Sequence, residues 1–325
     1  MRAAWYERFG PAREVLVVGE MARPAPGPGE VLVRLHASGI NPSDVKLRAG
    51  GRPGAVMEFA RLVPHSDGAG VIEAVGAGVD AGRMGERVWV WNAAWRRSSG
   101  SAAEYVALPA DQAVALPDVI EFAQGACLGI PAMTAWYALF AHGPIEGKTV
   151  LVTGGAGTVG RYACQMARLG GARVITTVSS EEKAHHSTAA DWVNYRKDDV
   201  VAAVRDLTGG SGVDLIVDVD FAANQATSLA LIKPGGVVAS YASMSERMPV
   251  LDYYGFLFRD VTLRMLIVYH LHGALRRAGE AQLTRWLEAG QLSHAPVVAG
   301  GLADVAAAHE MVEAGQKLGT VVLEM

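Results

Sequence analysis

Apolar residues in the first third of the chain come in short runs, at 31–35, 70–74, 87–91 and 103–108, each broken by glycine or proline. Runs of this length bounded by turn residues predict β-strands. Pro24, Pro26, Pro28, Gly29, Gly76, Gly78, Gly82 and Gly85 supply the punctuation, which suits tight turns between strands better than helix caps. The pattern changes near Leu116 and Pro117. Residues 122–141 are alanine-rich and helix-compatible, and 149–153 then form an apolar strand running directly into a glycine cluster. A helix over 159–169, a strand over 173–178, a helix-like stretch, and strands over 215–219 and 236–241 follow. Apolar strands alternating with helices predict a parallel sheet covered on both faces. Residues 261–269 read as one more strand, and the tail from Gly279 ends in a strand at 320–323. Nothing in that tail reads as a linker, so it is expected to return to one of the two lobes.

Composition narrows the class. The chain has 325 residues, 50% hydrophobic and 19% charged, which is enough apolar surface for a folded core and little room for disorder. A formal net charge of -4 lacks the broad positive field that non-specific nucleic-acid binding requires. Cys127 and Cys164 are too few for a disulfide framework or a cysteine-rich zinc site, and a reducing cytoplasm suits them best. The N-terminus acquires charge at Arg2 and predicts no secretory signal. The apolar stretch 255–271 is interrupted by Arg259, Asp260 and Arg264, so no membrane span is expected.

The glycine cluster carries the first chemistry. Gly154, Gly157 and Gly160, set between a predicted strand and a predicted helix, would allow a tight turn, a close backbone approach to a pyrophosphate and close helix packing. The phosphates would rest on the helix N-terminus, where free N–H groups and the dipole attract anions. The next strand ends at Val178, where an NAD site usually carries a carboxylate for the ribose hydroxyls. Here the chain reads Ser179, Ser180, Glu181, Glu182, Lys183, and the hydroxyls and cation favour a 2′-phosphate, hence NADPH.

Three further segments complete a familiar order: Gly39-Ile40-Asn41-Pro42-Ser43-Asp44, His65-Ser66-Asp67-Gly68-Ala69-Gly70-Val71-Ile72, and Pro131-Ala132-Met133-Thr134-Ala135. With the glycine turn and the ending Gly319-Thr320-Val321-Val322-Leu323, the whole chain resembles the zinc-independent quinone oxidoreductase (zeta-crystallin-like) branch of the medium-chain dehydrogenase/reductase superfamily. The resemblance implies an α/β protein: a GroES-like β-rich lobe (1–120 and 272–325), a Rossmann doubly wound lobe (121–271), and a cofactor cleft between them. It places Asn41 and Thr134 near the nicotinamide and its ribose. Gly157, Thr158, Val159 and Gly160 would hold the pyrophosphate. Ser179, Lys183 and Tyr195 would surround the 2′-phosphate, and Tyr241, Ala242 and Ser243 would run beneath the nicotinamide. Leu266 would belong to the last strand, the edge through which relatives form homodimers. Thr158 stands where the family usually has glycine, and the interval from Lys183 to Tyr195 is about one helical turn shorter than in relatives.

Zinc-dependent relatives place cysteine and Gly-His-Glu in the first lobe. Here those positions read Gly39-Ile40-Asn41-Pro42 and His65-Ser66-Asp67, so Ser66 replaces the ligand histidine and no metal is expected. His65, one position away, is read as a turn or hydrogen-bonding residue. Asp44 and Arg48 are read as a helical ion pair, Cys127 as core, the tryptophans 89, 91 and 95 as core or cleft lining, and His185-His186 as surface. Without a Lewis acid, reducing an activated acceptor is easier than oxidising an alcohol. The implied activity is hydride transfer from NADPH to a quinone, with an enoyl or alkenal double-bond reductase as the enzymatic alternative and a non-catalytic crystallin-like or RNA-binding role as the other. Asn41 and Thr134 would orient the reactants. Lys46 and Arg52, just beyond Asn41, are read first as solvated cations; the alternative is that they suit an anionic acceptor, with Lys46 also a proton donor.

Overall fold

The computed structural model describes residues 1–51, 54, 56–315 and 317–325. The chain divides into two compact units, 1–131 with 280–325, and 132–279.

The N-terminal unit opens with a hairpin, β1 (Arg2–Trp5) and β2 (Val17–Glu20), flanking α1 (Ala12–Val15). Then come β3 (Glu30–Ile40), α2 (Pro42–Arg48), β4 (Asp67–Val75), β5 (Arg87–Val90), β6 (Tyr105–Pro109) and β7 (Ala113–Ala115), followed by α3 (Phe122–Gly125) and α4 (Gly129–Phe140). The helix-compatible stretch 122–141 thus forms two helices. At the break the carboxylate of Asp67 occupies the space where a side chain at Gly129 would stand, so the second helix starts afresh against it.

The second unit carries β8 (Thr149–Val152), α5 (Thr158–Leu169), β9 (Arg173–Val178), α6 (Glu181–Ser187), β10 (Asp191–Asn194), α7 (Val200–Leu207), β11 (Val213–Asp218), α8 (Phe221–Leu231), β12 (Ile232–Ser240), α9 (Tyr253–Leu257) and β13 (Thr262–Met265). The six strands are all parallel, in the order β10-β9-β8-β11-β12-β13. This is the doubly wound order in which ligands bind beyond the carboxyl ends of the strands. Val150, Leu151 and Val152 of the central strand are fully buried, as expected of a strand covered on both faces. β10 escaped the sequence reading because it is a four-residue edge strand. Only Val193 and Asn194 are buried, while Trp192 is exposed.

The tail, α10 (Gly273–Glu288), β14 (Pro296–Gly301), α11 (Val305–Ala314) and β15 (Thr320–Glu324), returns to the first unit. There β15 pairs with Ala37–Ile40 of β3 while β6 pairs with its opposite end, giving the sheet order β14-β15-β3-β4-β5-β7 with β6 on β3. Val31, Val33 and Leu35 of β3 alternate into one core with Ile72, Val88, Val106 and Leu108. Ile40 joins a second core with Val45, Val305, Ala308, Val312, Val321 and Leu323, through which α11 is fixed to the sheet. Both unit boundaries fall inside helices, α4 and α10, where no shift in composition marks them. Among the described residues no helix is long and apolar enough to cross a membrane.

Candidate active site

In the second unit the turn after β8 is built around two close approaches. A Cβ at Gly155 would lie 2.0 Å from Thr176 Oγ1, and one at Gly160 would lie 2.3 Å from the carbonyl oxygen of Gly154. Both positions require glycine so that α5 packs against the sheet. Gly155 was missed, although the spacing 155, 157, 160 is the usual dinucleotide fingerprint; Gly154 adopts φ +68, a conformation that favours glycine. Gly157 differs. It caps α5 with φ -71, and a Cβ there meets only the Gly154 carbonyl oxygen at 3.3 Å, so its lack of a side chain leaves an open surface. The helical ladder begins with Arg161 N–H to Gly157 O at 2.8 Å, which leaves the preceding amides of Thr158, Val159 and Gly160 at the helix terminus to meet an anion. Thr158 is the first helical residue and is absent from the positive-φ positions, so threonine is accommodated there.

The remaining expected contacts of this unit follow the carboxyl ends of successive strands. Ser179 follows β9, Tyr195 follows β10, Tyr241, Ala242 and Ser243 follow β12, and Leu266 follows β13. Tyr195 N–H donates to Val178 O at 3.0 Å, which sets Tyr195 beside the end of β9 despite the short interval before it. Tyr195 is half exposed, and Arg196 next to it is exposed as well. Ser180 caps α6 by accepting from Lys183 N–H at 3.3 Å, placing Lys183 in the first turn with its side chain partly exposed. Thr134 lies in α4, 5% exposed.

Asp218, which the sequence reading passed over, ties these strand ends together. Its buried carboxylate accepts from Thr153 Oγ1 (3.1 Å), Asn224 Nδ2 (2.8 Å) and Ser240 Oγ (2.9 Å). Burial pushes its pKa up, and these hydrogen bonds oppose the rise. Asp220 extends the anchoring by accepting from Ser245 N–H at 3.0 Å and Ser245 Oγ at 2.8 Å, fixing the loop that follows Ser243.

In the first unit Asn41 caps α2. Its backbone N–H donates to Asp44 Oδ2 (2.8 Å), and its side-chain Nδ2 donates to Asp67 Oδ2 (2.7 Å). The Asp67 carboxylate also accepts the Ile130 N–H at 2.9 Å, at the start of α4. It is fully buried, and burial raises its pKa well above the ordinary carboxylate range, against the lowering effect of the Asn41 hydrogen bond. Arg48 forms its ion pair with Glu313 of α11, while Asp44 serves the cap. The helical spacing that suggested an Asp44–Arg48 pair is outweighed by the tertiary partner of Arg48 and the local cap made by Asp44. Lys46 lies in α2, partly exposed, and Arg52 lies outside the described residues.

Ser66 and His65 are both buried, but His65 has φ 75 and is not part of a regular strand; its ring bonds to Ser38 and to His309. Among the described residues no group of three or more His, Cys, Asp or Glu side chains is placed to hold a metal ion. Cys127 is buried, its thiol pushed up to about 12 by burial. Trp89 and Trp91 are core residues, and His185 is exposed.

A strand-rich unit completed by the C-terminal tail and a six-stranded doubly wound unit with a dinucleotide turn define a medium-chain dehydrogenase/reductase. Family models agree: residues 27–118 match the alcohol dehydrogenase GroES-like domain and 158–287 the zinc-binding dehydrogenase domain. Human quinone oxidoreductase is 35% identical over 243 residues, spanning 73% of this chain and 72% of that protein. A 2-haloacrylate reductase from Burkholderia is 31% identical over 340 residues, with 99% and 98% covered. The solved structure of a mycobacterial protein complexed with NADPH superimposes with a TM-score of 0.86 at 32% identity, with 100% of both chains covered. The chain belongs to the quinone oxidoreductase family, and it is an oxidoreductase.

Proposed function

We propose that the protein is a zinc-independent, NADPH-dependent reductase that passes hydride to a quinone. The observation that carries this reading is the open Gly157 cap of α5 followed, one strand over, by Ser179 and Lys183 where NAD sites carry a carboxylate. The similar mycobacterial structure was solved with NADPH, in support. When bound, NADPH supplies the hydride. The chain's own part is to hold the pyrophosphate on the amides of residues 158–160, the 2′-phosphate near Ser179, Lys183 and Tyr195, and the nicotinamide along Tyr241, Ala242, Ser243 and Leu266. Asn41 and Thr134 orient the nicotinamide and the acceptor. A quinone needs little further activation, so close, face-to-face positioning and hydrogen bonding to the developing oxyanion suffice. Ser66, in place of a ligand histidine, supports a reaction without zinc.

The Burkholderia relative is named for an activated alkene, which keeps an enoyl or alkenal acceptor as the second reading. Turnover of quinones, alkenals and enoyl thioesters with NADPH tests the choice: fastest turnover of quinones supports the first reading, and turnover of alkenals or thioesters alone replaces it. Lys46→Met, with neutral and anionic quinones, tests charge selection by α2. A larger KM rise for the anionic acceptor is expected, and equal responses would remove Lys46 from the site.

Cofactor choice makes a further expectation. A charge-assisted contact from Lys183 to a phosphate is worth ~1.5–3 kcal/mol, so NADPH should bind roughly ten- to a hundredfold tighter than NADH. Lys183→Ala should remove most of that preference in a calorimetric comparison, and equal affinities in the unmodified protein would contradict it. We also propose that two copies pair through β13, one edge strand of its sheet, where Met265 in the strand and Ile267 just after it are exposed. A dimeric mass by sedimentation is expected, and a monomer would exclude the pairing.

A further inference from the structure

His65 occupies a left-handed backbone conformation, φ 75, that is strained for a non-glycine residue and persists only where its surroundings over-determine it. What holds it is its side chain. His65 Nδ1 lies 2.9 Å from Ser38 Oγ, Ser38 Oγ lies 2.9 Å from Ser101 Oγ, and Ser101 Oγ donates to the Asp67 carbonyl oxygen at 2.5 Å. On the other side His65 Nε2 lies 2.8 Å from His309 Nε2 of α11. All four side chains belong to residues with no solvent exposure.

The direction of the hydrogens along this chain is forced. The Asp67 carbonyl can only accept, so the one hydroxyl hydrogen of Ser101 is committed to it. Ser38 must then donate to Ser101, and His65 Nδ1–H must donate to Ser38. With Nδ1 protonated, a neutral His65 has a bare Nε2, which accepts from His309 Nε2–H. His309 Nδ1 is left as a buried lone pair, and it has no hydrogen-bond partner. A charged pair would instead place a cation where neither ring has any solvent exposure, on the helix whose Val305, Ala308 and Val312 enter the core. The charged groups bearing on the pair disfavour that too. Arg48 of α2 lowers the His309 pKa to about 3 after burial itself, while Glu313, on the same helix as His309, is already paired with Arg48. Asp67 of β4 touches the far end of the chain through its backbone, and its carboxylate is turned to Asn41 and Ile130.

We propose that Ser38, Ser101, His65 and His309 are positioning residues: a neutral, one-way hydrogen-bond chain anchored in α11 that fixes the Asp67 peptide, and through the Asp67 carboxylate sets the Asn41 amide for hydride transfer. The inference rests on the proposed role of Asn41 at the reacting centre. It predicts a split between chemistry and cofactor binding, because the phosphate-binding residues belong to the other unit. Misplacement at a reacting centre by about 1 Å costs on the order of 100-fold, so kcat should fall 10- to 100-fold. The affinity for NADPH should stay within about twofold, well under one hydrogen bond's worth.

His65→Gly is the informative variant, since glycine accepts φ 75 without strain and the fold is kept while the chain is cut. His309→Leu should behave likewise, and His309→Gln, which retains an N–H donor, should recover part of the loss. Nitrogen-15 spectra of histidine-labelled protein supply a readout independent of turnover. They should show His65 as the Nδ1–H tautomer and His309 as the Nε2–H tautomer, neither titrating between about pH 5.5 and 8.5. Reversed tautomers, a charged ring in that range, or unchanged kcat in His65→Gly would overturn the proposal. Asn41→Ala separates the two readings: if it lowers kcat while His65→Gly does not, the chain is the part that fails, and if neither changes kcat, Asn41 is not at the reacting centre.

Discussion

Gly157→Val abolishes NADPH binding, by more than about 100-fold, while the far-ultraviolet circular dichroism and the melting temperature stay close to those of the unmodified protein. The cap residue already has φ -71, which valine adopts freely, and a Cβ there approaches only the Gly154 carbonyl oxygen, at 3.3 Å. On the proposed reading, the space that a side chain would fill there is the space the pyrophosphate takes, at the amides where the helix terminus attracts anions. Gly160→Ala supplies the contrast. A Cβ at 2.3 Å from the Gly154 carbonyl oxygen and 2.8 Å from Gly155 Cα must push α5 off the sheet, so that variant loses stability as well as affinity. Unchanged NADPH affinity in Gly157→Val would show that the turn does not carry the phosphates.

Acid destabilises the fold well before the carboxylates titrate. His65 and His309 are fully buried, and both pKa values lie below the ordinary 6.5, His65 through burial and the neighbouring His309, and His309 through burial and Arg48. A folded-state pKa below the unfolded value means that the unfolded chain takes up protons that the folded chain refuses. The stabilising contribution is complete above about pH 7 and is lost as pH falls through the unfolded value of 6.5. His309, pushed down to about 3, is still neutral in the folded state at pH 5, a loss of about 2 kcal/mol, and His65 acts in the same direction. Asp67 and Asp218, whose pKa values are raised by burial, act in the opposite sense: they lose stability as pH rises above the unfolded carboxylate value. Comparing urea unfolding of the unmodified protein and His65→Gly from pH 8 to 5 isolates the histidine share. The unmodified protein should show the steeper fall, and parallel profiles would mean that the rings titrate as freely when folded as when unfolded.

How much could be read in advance depended on the range of the forces involved. The apolar runs that became β8, β9 and β11, and the glycine turn after β8, were legible because strand burial on both faces and phosphate-cradling geometry leave dense local patterns. β10 was not, since an edge strand with two buried residues carries almost no apolar signal. Gly155 was legible in the G-x-G-x-x-G spacing 155, 157, 160, whereas its close approach to Thr176 and the positive φ of Gly154 are tertiary and local geometry that the sequence does not show. Asp67 and Asp218 stayed hidden for a different reason. Each is a single carboxylate whose partners, Asn41 and Ile130 for one and Thr153, Asn224 and Ser240 for the other, come from distant segments. The same holds for His65 and His309, 244 positions apart and joined by one 2.8 Å contact. Tyr195, preceded by an interval shorter than in relatives, is set beside β9 by one backbone hydrogen bond that no spacing rule expresses.

The central claim is that this chain moves a hydride from NADPH to a quinone without zinc. Rapid mixing of protein loaded with NADPH, deuterated on one face of the nicotinamide C4 and then on the other, against a simple quinone in the presence of a strong chelator tests it directly. The account predicts oxidation of NADPH in a single turnover, a primary isotope effect for one face only, and a rate unchanged by the chelator. Absence of oxidation, or oxidation that appears only when zinc is added back, would contradict it.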